Sequence, residues 1–228
     1  MVSPEDADTI LRRAADAVAH ARLADAFGHV SLRQGDGINV TPAIPLAEVA
    51  VHGVPVYVPF GAQELPDPAP REAWLPLAIA EAVPNAGGIV RAQPRAVAAF
   101  ASLGRELPVL YGHAAMLGGV HVHPRSLPAR DRASAEEIVA AAAGAACIVL
   151  RGNGVVVWGE SVAEAVARLW VLESTADLAL RAWAAGEPAE LPPDEQHWWR
   201  EHAPGLLPRI YRHLSHPSSH SSLKGEQQ

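Results

Sequence analysis

Two short apolar segments joined by a tight turn restrict the fold of this 228-residue chain more than any other feature. Residues 147–150 and 155–158 are rich in β-branched side chains, which favour strands. The segment between them has the sequence Arg-Gly-Asn-Gly, and Asn-Gly is a strong hairpin signal. Ser161 and Glu164 then have the spacing of a capping box, which predicts a helix to about Ala185. The expected arrangement is a sheet covered by helices.

Composition and charge exclude several classes of protein. Hydrophobic residues make up 49% of the chain and charged residues 19%, as in an ordinary globular domain. A net charge of −7 argues against a nucleic-acid partner. No apolar run has the length of a membrane span, and the N-terminus is acidic where a signal peptide is basic. We therefore expect a cytoplasmic protein, with Cys147 as a core residue.

The length fits one domain, which we place at residues 1–213. Residues 214–228 are rich in Ser, His and Gln, so we expect a disordered tail there.

The apolar run at residues 88–93 predicts a buried strand that ends before Pro94. Alternation places Arg91 and Gln93 on one face of it. Two His residues at this spacing can hold a catalytic metal, but Arg offers no usable lone pair and a Gln oxygen is a weak ligand for zinc. Taken alone, Arg91 is equally well explained as the partner of a surface acid.

Several other polar residues fall at positions where they need a partner. Glu72 lies near the start of a predicted helix, where it is either a first-turn acid or a functional anion. His121 and His123 share one face of a predicted strand, but a metal would need a third ligand. Glu173 falls on the apolar face of the 161–185 helix, so we expect it to meet a partner across a subunit interface.

The order of these segments resembles the class II aldolase and adducin family over residues 8–190. Four stretches carry the resemblance: residues 28–33 with 40–42, 72–84, 88–93 and 148–165. The resemblance implies a three-layer α/β/α sandwich around a mostly antiparallel, nine-stranded sheet. It also implies a homo-oligomer, usually a tetramer, with active sites between subunits.

In that family two His of a His-x-His strand and one His of a His-Gly turn hold a divalent metal, often zinc. Here Arg91, Gln93 and Asn153 stand at those three positions, whereas Glu72 keeps the position of the family's acid or base. We therefore expect no metal bound in the usual way, and no cofactor.

The resemblance also limits the substrate. Residues 43–44 are Ala-Ile where sugar-phosphate aldolases usually have Ser-Gly, and residues 27–29 depart from their Ser-Gly-Asn loop, which predicts a non-phosphorylated substrate. The Gly-His-Val-Ser sequence at residues 28–31, and His113 before a Met-Leu-Gly segment, resemble the branch that contains decarboxylases of hydroxylated aromatic carboxylic acids.

Our first hypothesis is a metal-independent lyase acting on a small carboxylic acid by decarboxylation, carbon–carbon cleavage or a related enolate step. Three residues are predicted to be catalytic: Glu72 as acid or base, Arg91 as anion holder, and His113. Three are predicted to bind the substrate: His29, Gln93 and Asn153.

Two alternatives remain open. The first is a non-catalytic binding or scaffold protein of the same fold, as in adducin-like head domains. The second is a lyase with a metal site relocated to His113, His121 and His123.

Overall fold

The computed structural model describes residues 6–216. Its strands are β1 (His29–Gln34), β2 (Gly37–Val40), β3 (Val56–Pro59), β4 (Gly88–Ala92), β5 (Gly119–His123), β6 (Ala145–Leu150) and β7 (Gly154–Gly159). They form one sheet in the order β3-β2-β1-β4-β7-β6-β5. Neighbouring strands are antiparallel except β5 and β6, which are parallel.

The helices are α1 (Ala7–His20), α2 (Leu46–His52), α3 (Trp74–Ala82), α4 (Arg95–Ser102), α5 (Gly112–Ala115), α6 (Arg132–Ala141), α7 (Val162–Ala185) and α8 (Pro193–Leu214). Helices α3 and α6 bury their apolar residues against one face of the sheet, and α1, α4, α7 and α8 against the other. Within β4, Val90 belongs to the second core and Ile89 to the first, as alternation requires. The predicted three-layer α/β/α sandwich with a mostly antiparallel sheet is confirmed.

The sheet has seven strands within residues 6–216, not the nine that the resemblance implied. Residues 107–110 remain outside the sheet, where Pro108 offers no N–H to a ladder. Residues 46–52 form α2, a short helix absent from the sequence prediction, which buries Leu46 and Val49 beside α1. The apolar periodicity of a helix of only one or two turns is too weak to be recognised in the sequence without knowledge of its tertiary contacts.

The β6–β7 hairpin and the helix after it form as predicted. The Asn153 N–H donates to the Leu150 carbonyl at 2.8 Å, and Gly154 has φ 86°, a conformation that favours glycine. Ser161 Oγ caps α7 by accepting from the N–H of Glu164 at 3.2 Å. Asn153 is thereby held beside the C-terminal end of β4, because Ala92 pairs with Val155.

Two element ends differ from the prediction. Strand β4 ends at Ala92, one residue early, so Gln93 lies beyond the ladder. Helix α3 begins at Trp74, which leaves Glu72 in the preceding turn. Pro76 is then the third residue of α3, where its missing N–H is not needed by the helix.

The C-terminal helix, α8, occupies residues up to the expected tail. Helix α8 continues to Leu214, so the expected tail does not begin before that residue, and residues 217–228 lie outside the described part of the chain. Among residues 6–216, none of the helices has the length and apolar character needed to cross a membrane.

Glu173 finds its partner inside the chain, which corrects the expectation of a subunit interface. Its carboxylate accepts from the backbone N–H groups of Ala96 at 2.9 Å and Val97 at 3.0 Å. These groups open α4, whose N-cap residue, Pro94, has no side-chain hydrogen bond to offer. The Glu173 carboxylate therefore caps α4 from across the helical layer.

We expect Glu173→Ala to lower the free energy of unfolding by about 1–3 kcal/mol, because two backbone donors lose a charged acceptor. Urea unfolding monitored by circular dichroism measures the change. Asp177→Ala is the matched control on the same helix, since Asp177 pairs with Arg181 on the surface and contributes at most about 1 kcal/mol. Equal effects of the two substitutions would contradict the capping role.

Candidate active site

Three side chains from distant parts of the chain meet where β4 ends. Arg91 Nη2 donates to Glu72 Oε1 at 3.3 Å and to Asn153 Oδ1 at 3.0 Å. Asn153 Nδ2 donates to the same Glu72 oxygen at 3.1 Å. Each residue of this Glu72–Arg91–Asn153 cluster thus contacts the other two, which joins β4, the β6–β7 turn and the turn before α3.

The cluster has a buried side and an open side. The Arg91 side chain is 1% exposed, whereas that of Glu72 is 26% exposed. Burial lowers the pKa of Arg91 from its ordinary value, and the adjacent Glu72 carboxylate opposes that shift. The cluster therefore presents a carboxylate towards solvent with a fixed cation behind it. A carboxylate so placed can accept a proton from a bound molecule or return one to it.

The Arg91 guanidinium is already engaged by protein groups. Besides Glu72 and Asn153, it binds the Ala92 carbonyl through Nη1 at 3.1 Å. Its Nε is buried and has no hydrogen-bond partner among residues 6–216. Direct contact with a substrate anion would require the guanidinium to leave these partners. In the described conformation Arg91 acts on nearby groups through its charge.

A catalytic metal does not fit this arrangement of side chains. The resemblance implies metal ligands at Arg91, Gln93 and Asn153, but a cationic guanidinium stands at the first position. A divalent cation would meet the positive charge of Arg91, and the carboxylate of the cluster, Glu72, is already paired with that charge.

His29 lies directly beside Arg91, paired with it across β1 and β4. It is 3% exposed, and its Nε2 has no hydrogen-bond partner among residues 6–216. Burial, assisted by the charge of Arg91, lowers its pKa from 6.5 to about 3. His29 is therefore neutral at physiological pH. Ser31, on the same strand face, also has a buried hydroxyl without a partner in the described chain.

The remaining predicted site residues are placed differently. Gln93 follows β4 and packs beside Gly154, so it lies near the cluster at the same end of the strands. His113, on α5, instead packs against Tyr111 and Trp199, with ring centroids 5.3 Å and 5.9 Å away. Its ring contacts do not include the cluster, and its catalytic role stays a prediction.

The relocated metal site lacks a third ligand within the described chain. His121 and His123 lie on the edge strand β5 with ring centroids 6.4 Å apart. Among residues 6–216, no three His, Cys, Asp or Glu side chains are grouped so that they could hold a metal ion.

Sequence reasoning missed the part played by Gly154. The close approach of Arg91 and Gln93 to this residue leaves no room for a side chain, and its positive φ adds a second requirement for glycine. The Asn-Gly signal was recognised only as a turn.

The buried His29 makes stability depend on pH. The unfolded chain protonates this residue below about pH 6.5, whereas the folded chain does so only near pH 3. The stability gained from the buried, neutral His29 is therefore fully present above pH 6.5, and it is lost as the pH falls from 6.5 towards 3. We expect a loss of about 2 kcal/mol between pH 7.5 and pH 5 that is missing in His29→Gln.

Urea unfolding at both pH values tests this prediction. The exposed His52 provides the control, because His52→Gln should retain the pH dependence of the unchanged protein. The same pH dependence in His29→Gln would show that His29 is not the group responsible.

Comparison with known proteins gives the family. Residues 10–180 match the model of the Class II Aldolase and Adducin N-terminal domain. The chain is 36% identical over 202 residues to a 3,4-dihydroxyphthalate decarboxylase of Terrabacter sp. (strain DBF63), covering 78% of this chain and 82% of that protein. It is 32% identical over 189 residues to a protein of the same name from Arthrobacter keyseri, covering 74% and 75%.

The fold is shared with solved structures. An aldolase II superfamily protein from Pseudomonas syringae superposes with a TM-score of 0.76 at 22% identity, covering 93% of this chain and 92% of that one. The match to the family model, the sequence similarity to two lyases and the common architecture agree. This chain is a member of the class II aldolase and adducin family.

Proposed function

We propose that this protein is a metal-independent lyase that decarboxylates a small, non-phosphorylated, hydroxylated aromatic carboxylic acid. The two similar proteins named 3,4-dihydroxyphthalate decarboxylase support this substrate class. The observation that carries the proposal is the Glu72–Arg91–Asn153 cluster, because it offers a partly open carboxylate fixed by a buried cation.

Glu72 is the proposed proton carrier. In the first step its carboxylate takes the proton of a ring hydroxyl, which leaves a phenolate and a protonated Glu72. Electron density from the phenolate then allows the ring carbon that bears the carboxylate to accept that proton from Glu72. The bond between this carbon and the carboxylate breaks, carbon dioxide leaves, and the ring is again a phenolate that takes a proton from water. Glu72 returns to its ionised form, so one proton from water is consumed.

Arg91 and Asn153 support this proton transfer. The charge of Arg91 stabilises the negative charge that moves between the carboxylate and the ring, and it acts strongly because it is removed from water. Asn153 fixes the Glu72 oxygen that it contacts. In this scheme a buried guanidinium supplies the anion stabilisation that a metal supplies elsewhere.

His29, Gln93 and His113 complete the proposed site. His29 is neutral and lies next to Arg91, so it can accept a hydrogen bond from a ring hydroxyl without adding charge. Gln93 offers amide groups at the same edge. His113 does not contact the Glu72–Arg91–Asn153 cluster of its own chain. In this proposal it reaches the cluster of a neighbouring subunit, or that of its own subunit after a movement of α5.

We also propose a cytoplasmic homo-oligomer, a tetramer. Large apolar side chains remain exposed on the single chain, among them Phe27, Val51 and Trp198. Such residues support contact between subunits, because burying them removes apolar surface from water.

Substitution of Glu72 tests the proposed proton carrier. Glu72→Gln keeps the size of the side chain and removes its ability to carry a proton, so we expect kcat for 3,4-dihydroxyphthalate to fall at least about 100-fold. Product formation is followed by liquid chromatography and carbon dioxide release. Glu64→Gln, at an exposed position, should retain the original rate. Undiminished turnover in folded Glu72→Gln would refute the assignment.

Metal removal tests the other half of the proposal. We expect purified, tag-free protein to contain far less than one divalent metal per chain by elemental mass spectrometry, and to keep its full rate after treatment with a chelator. Loss of activity with the chelator, restored by zinc or manganese, would contradict metal independence. A folded protein that turns over no hydroxylated aromatic acid would instead favour the non-catalytic binding or scaffold role.

A further inference from the structure

A cavity of about 540 Å³ lies along β5, far larger than a packing defect. Its walls include Leu107, Val120 and Val122, which pack with the core formed by α1, α4, α7 and α8. Arg91 points to the other face of the sheet, as its neighbour two residues earlier, Ile89, belongs to the core of α3 and α6. This β5 cavity is therefore separate from the Glu72–Arg91–Asn153 cluster.

Two guanidinium groups line the β5 cavity without an acidic partner. Neither Arg105 nor Arg151 lies within salt-bridge distance of a carboxylate among the residues that the structure describes. Arg105 is positioned over the Trp183 ring, 5.0 Å from its centroid. Glu106 also lines the cavity, so the charged side chains leave an excess of one positive charge.

A hydroxyl group adds a polar atom to the wall of the β5 cavity. Thr175 contributes a buried hydroxyl, which donates to the Val171 carbonyl at 2.7 Å and lies 3.4 Å from the Tyr111 hydroxyl.

The combination of groups defines the ligand. Apolar walls favour a flat hydrocarbon body, and guanidinium forks bind carboxylates through paired, charge-assisted hydrogen bonds. The volume lies within the range of about 300–1,000 Å³ that is typical of small-molecule sites. We propose that the β5 cavity is a second binding site, for a small aromatic carboxylate held by Arg105 or Arg151. This inference rests on the cavity alone and does not depend on the proposed reaction.

Calorimetric titration of the full chain with 4-hydroxybenzoate tests the site. We expect saturable binding in Glu72→Gln protein, whose substitution lies on the other face of the sheet. Arg105→Gln or Arg151→Gln in that background should weaken binding at least about tenfold, the effect of losing one charge-assisted contact. Val120→Phe, which fills the cavity without changing charge, should weaken it as well.

Controls separate this site from other modes of binding. Arg181→Gln removes an exposed cation that pairs with Asp177 outside the cavity, and it should leave the affinity unchanged. Phenol, which lacks the carboxylate, and inorganic phosphate, which lacks the apolar body, should bind at least tenfold more weakly.

The proposal is overturned if the Glu72→Gln protein does not bind 4-hydroxybenzoate. It is equally overturned if the affinity is unchanged by Arg105→Gln, Arg151→Gln and Val120→Phe. Decarboxylase activity is measured separately, so failure of this site and failure of the proposed reaction give different results.

Discussion

The buried charge of Arg91 imposes the strongest constraint on this structure. A guanidinium with 1% of its side chain exposed would cost several kcal/mol if it were left without partners. Glu72 and Asn153 supply the opposite charge and a hydrogen-bond acceptor, and both come from turns that other elements must hold in place. The β6–β7 hairpin and the start of α3 therefore have to meet the end of β4. The contact between Arg91 and Glu72 therefore stabilises the buried charge and also forms the candidate active site.

The same charge supports the proposal that this protein works without a metal. A guanidinium and a divalent cation cannot occupy adjacent positions without strong repulsion. An ion pair can still orient a carboxylate and stabilise a developing anion, which are the tasks that proton transfer to an aromatic ring requires. Retention of Glu72 beside a residue that replaces a metal ligand is consistent with chemistry that passes through a carboxylate.

The two faces of the sheet have different polar contents. The face under α3 carries Arg91, which belongs to the cluster, and the neutral His29 opposite it on β1, and both are almost fully buried. The other face carries the β5 cavity, where two guanidinium groups have no acidic partner within the described residues. Strand alternation allows one sheet to support both sites, since successive residues point in opposite directions.

Local sequence was sufficient where a few neighbouring residues define the structure. The β6–β7 hairpin, the capping of α7 by Ser161 and the strand containing Arg91 depend on turn chemistry, a capping box and an apolar run, and all three were predicted. The resemblance added the correct family and layer architecture. It overstated the number of strands, because prolines and short segments leave part of the chain outside the sheet.

Contacts between distant segments were decided only by the tertiary structure. Glu173 caps α4 by accepting from the N–H of Ala96, 77 residues earlier, and the pairing of His29 with Arg91 depends on the register of β1 and β4. The sequence by itself determined which side chains each element carries and to which face they point. Which of them meet, and how far water is excluded from them, depends on how the layers pack. Burial and pairing, not residue type alone, make His29 neutral and keep Arg91 bound to Glu72.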